Sequence, residues 1–154
     1  MQFMLGKLTD TEIKAVLNNN FLGRIGCHDE GRTYVVPVNY VYDGTYIIAH
    51  SMMGMKIQMM RTNPQVCFEV DEIQDFTNWR SVIVWGEYQE INDVTERYHA
   101  VSYFVERTLH AKISETAIPP ALPEKDTVPL YPTSVKPVIY RIVILESSGR
   151  YEKD

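Results

Sequence analysis

The run from Thr33 to Ser81 constrains the fold of this chain more than any other stretch. Its first segment, Thr33-Tyr34-Val35-Val36-Pro37-Val38-Asn39-Tyr40-Val41-Tyr42, is rich in valine and tyrosine, which suit a pleated, half-buried surface. Asp43-Gly44 follows, and Thr45-Tyr46-Ile47-Ile48-Ala49-His50 returns. A two-residue turn able to supply positive φ angles between two such runs predicts a β-hairpin. Pro37 cannot donate to a ladder, so an edge or a bulge is expected there, with backbone groups left for a ligand. Gly54 to Thr62 reads as a Met-rich helix stopped by Asn63-Pro64. A strand over Val66 to Val70, a polar loop over Asp71 to Asn78, and a long strand over Arg80 to Ile91 complete the expectation, with Gly86 as a bulge.

The flanking sequence supplies caps and covers. Thr9-Asp10-Thr11-Glu12 is a capping box opening a helix within residues 1–20, with Ile13, Val16 and Leu17 as its apolar stripe. Phe21 to His28 reads as a strand and Asp29 to Arg32 as the turn out of it. Asp93-Val94-Thr95-Glu96 opens a second long helix, with Val94, Tyr98, Val101, Val105 and Leu109 at helical spacing. The proline-rich stretch 111–137 reads as loop with a short helical turn, Val138 to Leu145 as a last strand, and residues 146–154 as a polar tail. Many short strands and few helices predict a mainly β fold, an antiparallel barrel with helices at its margins, in one domain spanning 1–154. The strict strand–helix alternation and glycine-rich phosphate loop of a doubly wound sheet are missing.

Bulk properties narrow the function. A length of 154 residues is enough to bury a real core. A net charge of −5 argues against a general nucleic-acid or anionic-membrane surface, but leaves room for a local anion site. No apolar run approaches the roughly 20 residues of a membrane helix, and the first residues lack signal-peptide character. Cys27 and Cys67, in apolar strand-like segments, read first as reduced buried thiols of a cytoplasmic protein, with a disulfide as the alternative, and no metal-ligand spacing occurs.

Ser51, Met55 and Lys56 surround a predicted helix start, where free N–H groups and the dipole favour an anion. Arg80 and Ser81 can add a guanidinium fork and a hydroxyl if the loop from Asp71 brings them near. The competing reading makes Lys56 a solvated residue and pairs Arg80 with Asp71 or Asp75. His50 ends a strand beside this site and suits either a structural role or contact with a substrate. His28, His99 and His110 read as surface positions. Met52, Met53, Met55, Met59 and Met60 read as core filling, or in part as a face for a flat ligand. Trp85 reads as packed in its strand, and Trp79 as lying in a loop against a ligand or partner. No hydrolase nucleophile motif is present, so any enzyme chemistry is expected from a bound cofactor.

Taken together, Thr33 to Tyr40, Asp43-Gly44, His50-Ser51, Gly54-Met55-Lys56, Arg61-Thr62-Asn63-Pro64-Gln65-Val66-Cys67-Phe68 and Asn78-Trp79-Arg80-Ser81-Val82 resemble the pyridoxamine 5'-phosphate oxidase-like flavoproteins. The branch containing nitroimidazole-resistance reductases and small FMN-binding proteins is the nearest. The resemblance implies a split β-barrel of antiparallel Greek-key type and a homodimer holding FMN between its subunits. It places Val36, Pro37, Val38 and Asn39 along the isoalloxazine ring. His50, Ser51 and Lys56 fall on the ribityl-phosphate side, and Trp79, Arg80 and Ser81 complete the pocket, from the same subunit or the opposite one. His50 is implied near the reactive centre. The Arg-x-Val-Leu-Leu-Lys segment and the C-terminal Arg-x-His element of the vitamin B6 oxidases are absent, which disfavours pyridoxamine phosphate oxidation. The expected function is electron transfer from a reduced nicotinamide through FMN to a small planar acceptor. A flavin, haem or deazaflavin carrier and an empty barrel dimer are the alternatives.

Overall fold

In the computed structural model, which describes residues 4–108 and 136–154, inward and outward side chains alternate along the central strands. That period of two lets a sheet close on one apolar face. The elements in chain order are β1 (Met4–Lys7), α1 (Asp10–Asn19), β2 (Leu22–Asp29), β3 (Arg32–Tyr42), β4 (Tyr46–Ser51), α2 (Met55–Thr62), β5 (Gln65–Asp75), β6 (Asn78–Glu90), α3 (Val94–Thr108) and β7 (Val138–Lys153). All pairings are antiparallel, in the order β1-β7-β4-β3-β2-β5-β6, and β6 also pairs with β7. The six strands β2 to β7 thereby form a barrel, and β1 extends it along the end of β7.

The barrel interior holds Ile25, Phe68, Val70, Val82, Val84, Tyr140 and Ile142, among others, each almost fully buried. Two helices plug it. Thr9 caps α1 through a complete capping box with Glu12, and Ile13, Val16 and Leu17 point inward. The Tyr40 hydroxyl donates to the Leu17 carbonyl at 2.7 Å, tying α1 to β3. From α2, Ile57 and Met60 are completely buried, each contributing roughly 1.5–3 kcal/mol of burial energy. α3 stays outside and packs Ala100, Val101 and Phe104 on Val41, Ile48 and Ile139.

Several sequence expectations need correction. The β3–β4 hairpin closes with the Asp43 N–H donating to the Tyr46 carbonyl, so Gly44 and Thr45 are its central residues. Of Asp43 and Gly44, Gly44 alone has a positive φ, 95°, while the Asp43 carboxylate accepts from the Thr45 and Tyr46 N–H groups. The turn with two positive φ angles is instead Glu30-Gly31, between β2 and β3. Of the edge or bulge expected at Pro37 the edge is found: it pairs regularly with Arg24 on β2, and no strand among the described residues pairs with its other side. The stretch Asp71 to Asn78 is not a loop: β5 and β6 pair almost to their tips and turn at Phe76-Thr77. The tail 146–154 is likewise strand, held between β6 and β1. The irregularity at Gly86 is real, but its extra residue is Leu145 on β7. Met4–Lys7 forms a strand before the first helix. On α3 the apolar face is turned from the expected one: Val94 is 78% exposed, and Ala100 and Phe104 are buried in its place. Trp85 lies on the outer face, 42% exposed, rather than packed. Both thiols are free, with Cys27 inside and Cys67 half-buried outside. Leu109, His110 and the proline-rich stretch up to residue 135 lie outside the described residues.

Two glycines, on β2 and β6 either side of β5, test this packing in opposite senses. A Cβ on Gly86 would lie 2.3 Å from the Val143 carbonyl oxygen, whereas one on Gly26 would have 3.6 Å to its nearest neighbour. Gly86→Ala should therefore lose more than about 2 kcal/mol in urea unfolding, and Gly26→Ala should stay within ~0.5 kcal/mol of the parent.

Candidate functional site

The site is built where two strands part. β4 pairs with β3 over Tyr40 to Tyr42 and then leaves it, although β4 itself continues to Ser51 beside β7. The Tyr40 N–H donates to the Phe21 carbonyl on the β2 side, and the Asp43 N–H points to β4. Alternation then turns the main-chain groups of Val35, Pro37 and Asn39 away from β2, towards the side that β4 has vacated. No strand among the described residues pairs with that side. Pro37 has no N–H to lose there, which is why proline is tolerated at an edge. Side chains follow the same alternation. Val36 and Val38 face the barrel core, while Pro37 is exposed and Asn39 half-buried on the outside.

β4 leads from this split into α2. His50 projects outward at the strand end, and its ring meets the edge of Phe104 at 4.9 Å between centroids and 71° between planes. The Ser51 hydroxyl donates to the Met52 carbonyl. Gly54 caps α2 without any side-chain acceptor for the first-turn N–H groups. Met55 is exposed and Lys56 half-buried in that same turn. Lys56 has no ion pair or hydrogen bond among the described residues. Burial pulls its ammonium below the ordinary lysine range, opposed in part by the nearby Cys27 thiol. Burial also lowers His50 to about 4, with the Lys56 charge adding to the effect. An unpaired, partly desolvated cation at an uncapped helix start is costly alone and is relieved by an anion.

The remaining predicted residues sit elsewhere in the chain. Gln65 pairs with Glu87, so the α2 end of β6 lies there, and Ser81 is roughly 20 Å further along at strand rise. Trp79 donates from Nε1 to Glu152 at 3.0 Å, and with the exposed Arg80 it lines a groove of about 1250 Å³ beside Lys7, Asn20 and Tyr151. Arg80 pairs with neither Asp71 nor Asp75: Arg24 holds Asp71 at 3.4 Å, and Asp75 accepts from Thr77 and Asn78. One chain thus sets Val36, Pro37, Val38 and Asn39 on the strand that β4 leaves and His50, Ser51, Met55 and Lys56 at the β4–α2 junction, and it leaves Trp79, Arg80 and Ser81 apart. Sequence reading missed the Arg24–Glu69–Asp71 cluster on the outer face, where burial and proton sharing with Asp71 push Glu69 up to about 7. It also missed Phe104, for which the apolar spacing Ala100, Val101, Phe104 was the available signal.

A family model described as pyridoxamine 5'-phosphate oxidase matches residues 9–150. An uncharacterized protein of Rhizobium meliloti is 36% identical over 95 residues, a match covering 59% of this chain and 63% of that relative. Among solved structures, an FAD-binding protein from Mesorhizobium loti superposes with a TM-score of 0.74 and 31% identity, covering 99% of this chain and 100% of that one. A candidate 5-nitroimidazole antibiotic resistance protein from Bacteroides thetaiotaomicron gives 0.70 at 18% identity, over 100% and 93% of the two chains. The FAD-binding protein of Mycobacterium smegmatis gives 0.63 at 19%, over 96% and 98%. The last two likenesses concern the fold.

The electrostatics of the split are measurable without any ligand. His50 titrates near 4 when folded, below its ordinary value of 6.5, so the unfolded chain takes up that proton first as pH falls. His50 carries no such penalty above pH 6.5 and destabilises the fold increasingly from there down to about 4. Urea midpoints between pH 7.5 and 4.5 should fall less steeply in His50→Gln than in the parent, and identical slopes would contradict the burial of this ring.

Proposed function

The chain belongs to the pyridoxamine 5'-phosphate oxidase family, and from that premise we propose that it is a flavoprotein, an FMN-dependent oxidoreductase. The observation that carries the reading is the pairing of Lys56 with the vacated edge of β3. A phosphorylated planar molecule needs an anion site and a flat polar rim beside it, and this split supplies both. Lys56 and the free N–H groups at the start of α2 would hold the phosphate, with Ser51 alongside. The strand from Val36 to Asn39 would lie along the ring, turning the free main-chain groups of Pro37 and Asn39 to it, and His50 would stand at its margin. The relatives named as FAD-binding support a flavin, and FMN is the form the single anion site favours.

A bound flavin supplies the two-electron transfer that no side chain here performs. The chain's own contribution is to orient the ring, neutralise the phosphate and present a neutral His50 imidazole. Electrons would come from a reduced nicotinamide and pass to a small planar acceptor of nitroaromatic or quinone type. The separation of Trp79, Arg80 and Ser81 from Lys56 within one chain favours a homodimer in which the partner brings these residues to the flavin. The alternative is a carrier that binds flavin without turnover, consistent with the missing substrate-gripping arginine and histidine of the vitamin B6 oxidases.

Titration with FMN, followed by fluorescence quenching, should show saturable binding, and Lys56→Ala should weaken it by roughly 1.5–3 kcal/mol as a lost charge-assisted contact. Absence of uptake of both FMN and FAD would overturn the flavoprotein reading. Flavin bleaching on addition of NADH or NADPH in stopped flow would separate an enzyme from a carrier. Chromatography of flavin released from purified protein would distinguish FMN from FAD.

A further inference from the structure

His50 occupies a corner of the barrel where β4 is paired on one side. The β3–β4 ladder has ended at Ala49, so β4 is held at His50 through its pairing with Ile139 of β7. The ring projects to the outer surface, where a histidine is ordinarily wet. Here α3 covers it. Phe104 is 3% exposed and belongs to the same apolar cluster as Val41, Ile48 and Ile139, immediately beside the imidazole. α3 cannot slide easily on that surface. The Tyr103 hydroxyl donates to the Tyr42 carbonyl at 3.0 Å, and the Arg97 guanidinium donates to the carbonyls of Ile91 and Pro137 at 3.2 Å each. About two turns of α3 thus join the β3–β4 hairpin, the end of β6 and the start of β7 around one aromatic ring.

We infer that Phe104 is the positioning residue for His50: its edge fixes the plane of the imidazole at the β3–β4 split and shuts water out from behind it. The inference rests on the reading of the split as the flavin site. Burial is the leading cause of the lowered proton affinity of His50, and the charged group whose field reaches the ring is Lys56 on α2. A neutral imidazole of fixed orientation offers one tautomer and one ring plane at the flavin margin. A freely rotating, protonated one would offer neither reliably and would repel Lys56.

The test replaces the ring while keeping the apolar volume, with Phe104→Leu as the principal variant and Phe104→Ala as the stronger one. NMR titration of the ligand-free protein should show His50 titrating roughly one unit or more higher in Phe104→Leu, and further up in Phe104→Ala, as water reaches the ring. In the flavin-loaded protein, Phe104→Leu should lower kcat at least threefold with KM for the nicotinamide unchanged. Parental His50 titration in a folded Phe104→Leu would overturn the inference, whatever Phe104→Ala does. The two readings fail differently. A shifted His50 titration in a chain that takes up no flavin sinks the flavin site and leaves the positioning intact. Normal flavin uptake with an unshifted His50 does the reverse.

Discussion

Closure of the barrel through β7 is the constraint on which the rest of the structure depends. β7 pairs with β6 along most of its length, and on its other side with β4 and then β1. Without it β4 would be an edge, and the sheet would open between β4 and β6. Because β7 holds β4 so well, β4 is free to part from β3 after Ala49 without exposing both of its edges. The split is therefore a consequence of closure elsewhere. It places unpaired backbone of β3 next to a helix start, a combination that an open sheet would have spent on pairing with another strand.

The charges around the split follow from the same geometry. α2 plugs one end of the barrel with Ile57, Met59 and Met60, and this forces the first turn of the helix against β2 and the gap. Lys56 is carried along, into partial burial beside Cys27 and near His50. A cation in that position destabilises the ligand-free fold slightly and favours an anion strongly. Binding energy and folding energy are traded at one residue, a common arrangement at functional sites.

Legibility in the sequence varied with the range of the interactions involved. The capping box of α1 and the stop at Asn63-Pro64 are local, and both were read correctly. So was the Pro37 edge, because a missing N–H restricts a strand whatever its neighbours. The polar residues 71–78 and 146–154 were misread because their strand state comes from ladder partners, residues 78–81 across a short hairpin for the first and the distant β6 and β1 for the second. A polar strand gains its hydrogen bonds from the ladder, and composition does not record the ladder. The phase of α3 failed for a related reason: which face is buried depends on where Val41, Ile48 and Ile139 lie.

By itself the sequence determined a mainly β fold, its first hairpins, and the residues gathered at the split: Val36 to Asn39, His50, Ser51, Met55 and Lys56. These lie within some twenty residues of one another along the chain, and it was the resemblance to the flavoproteins, not spacing alone, that grouped them. Tertiary structure alone decided that β3 has a vacated side, that Lys56 is unpaired among the described residues, and that Phe104 covers His50. It also separated Trp79, Arg80 and Ser81 from that group, because the unbroken β5–β6 ladder extends them to the far end of the barrel. Proximity in sequence becomes proximity in space across a tight turn, and it is lost along an extended strand at about 3.4 Å for every residue.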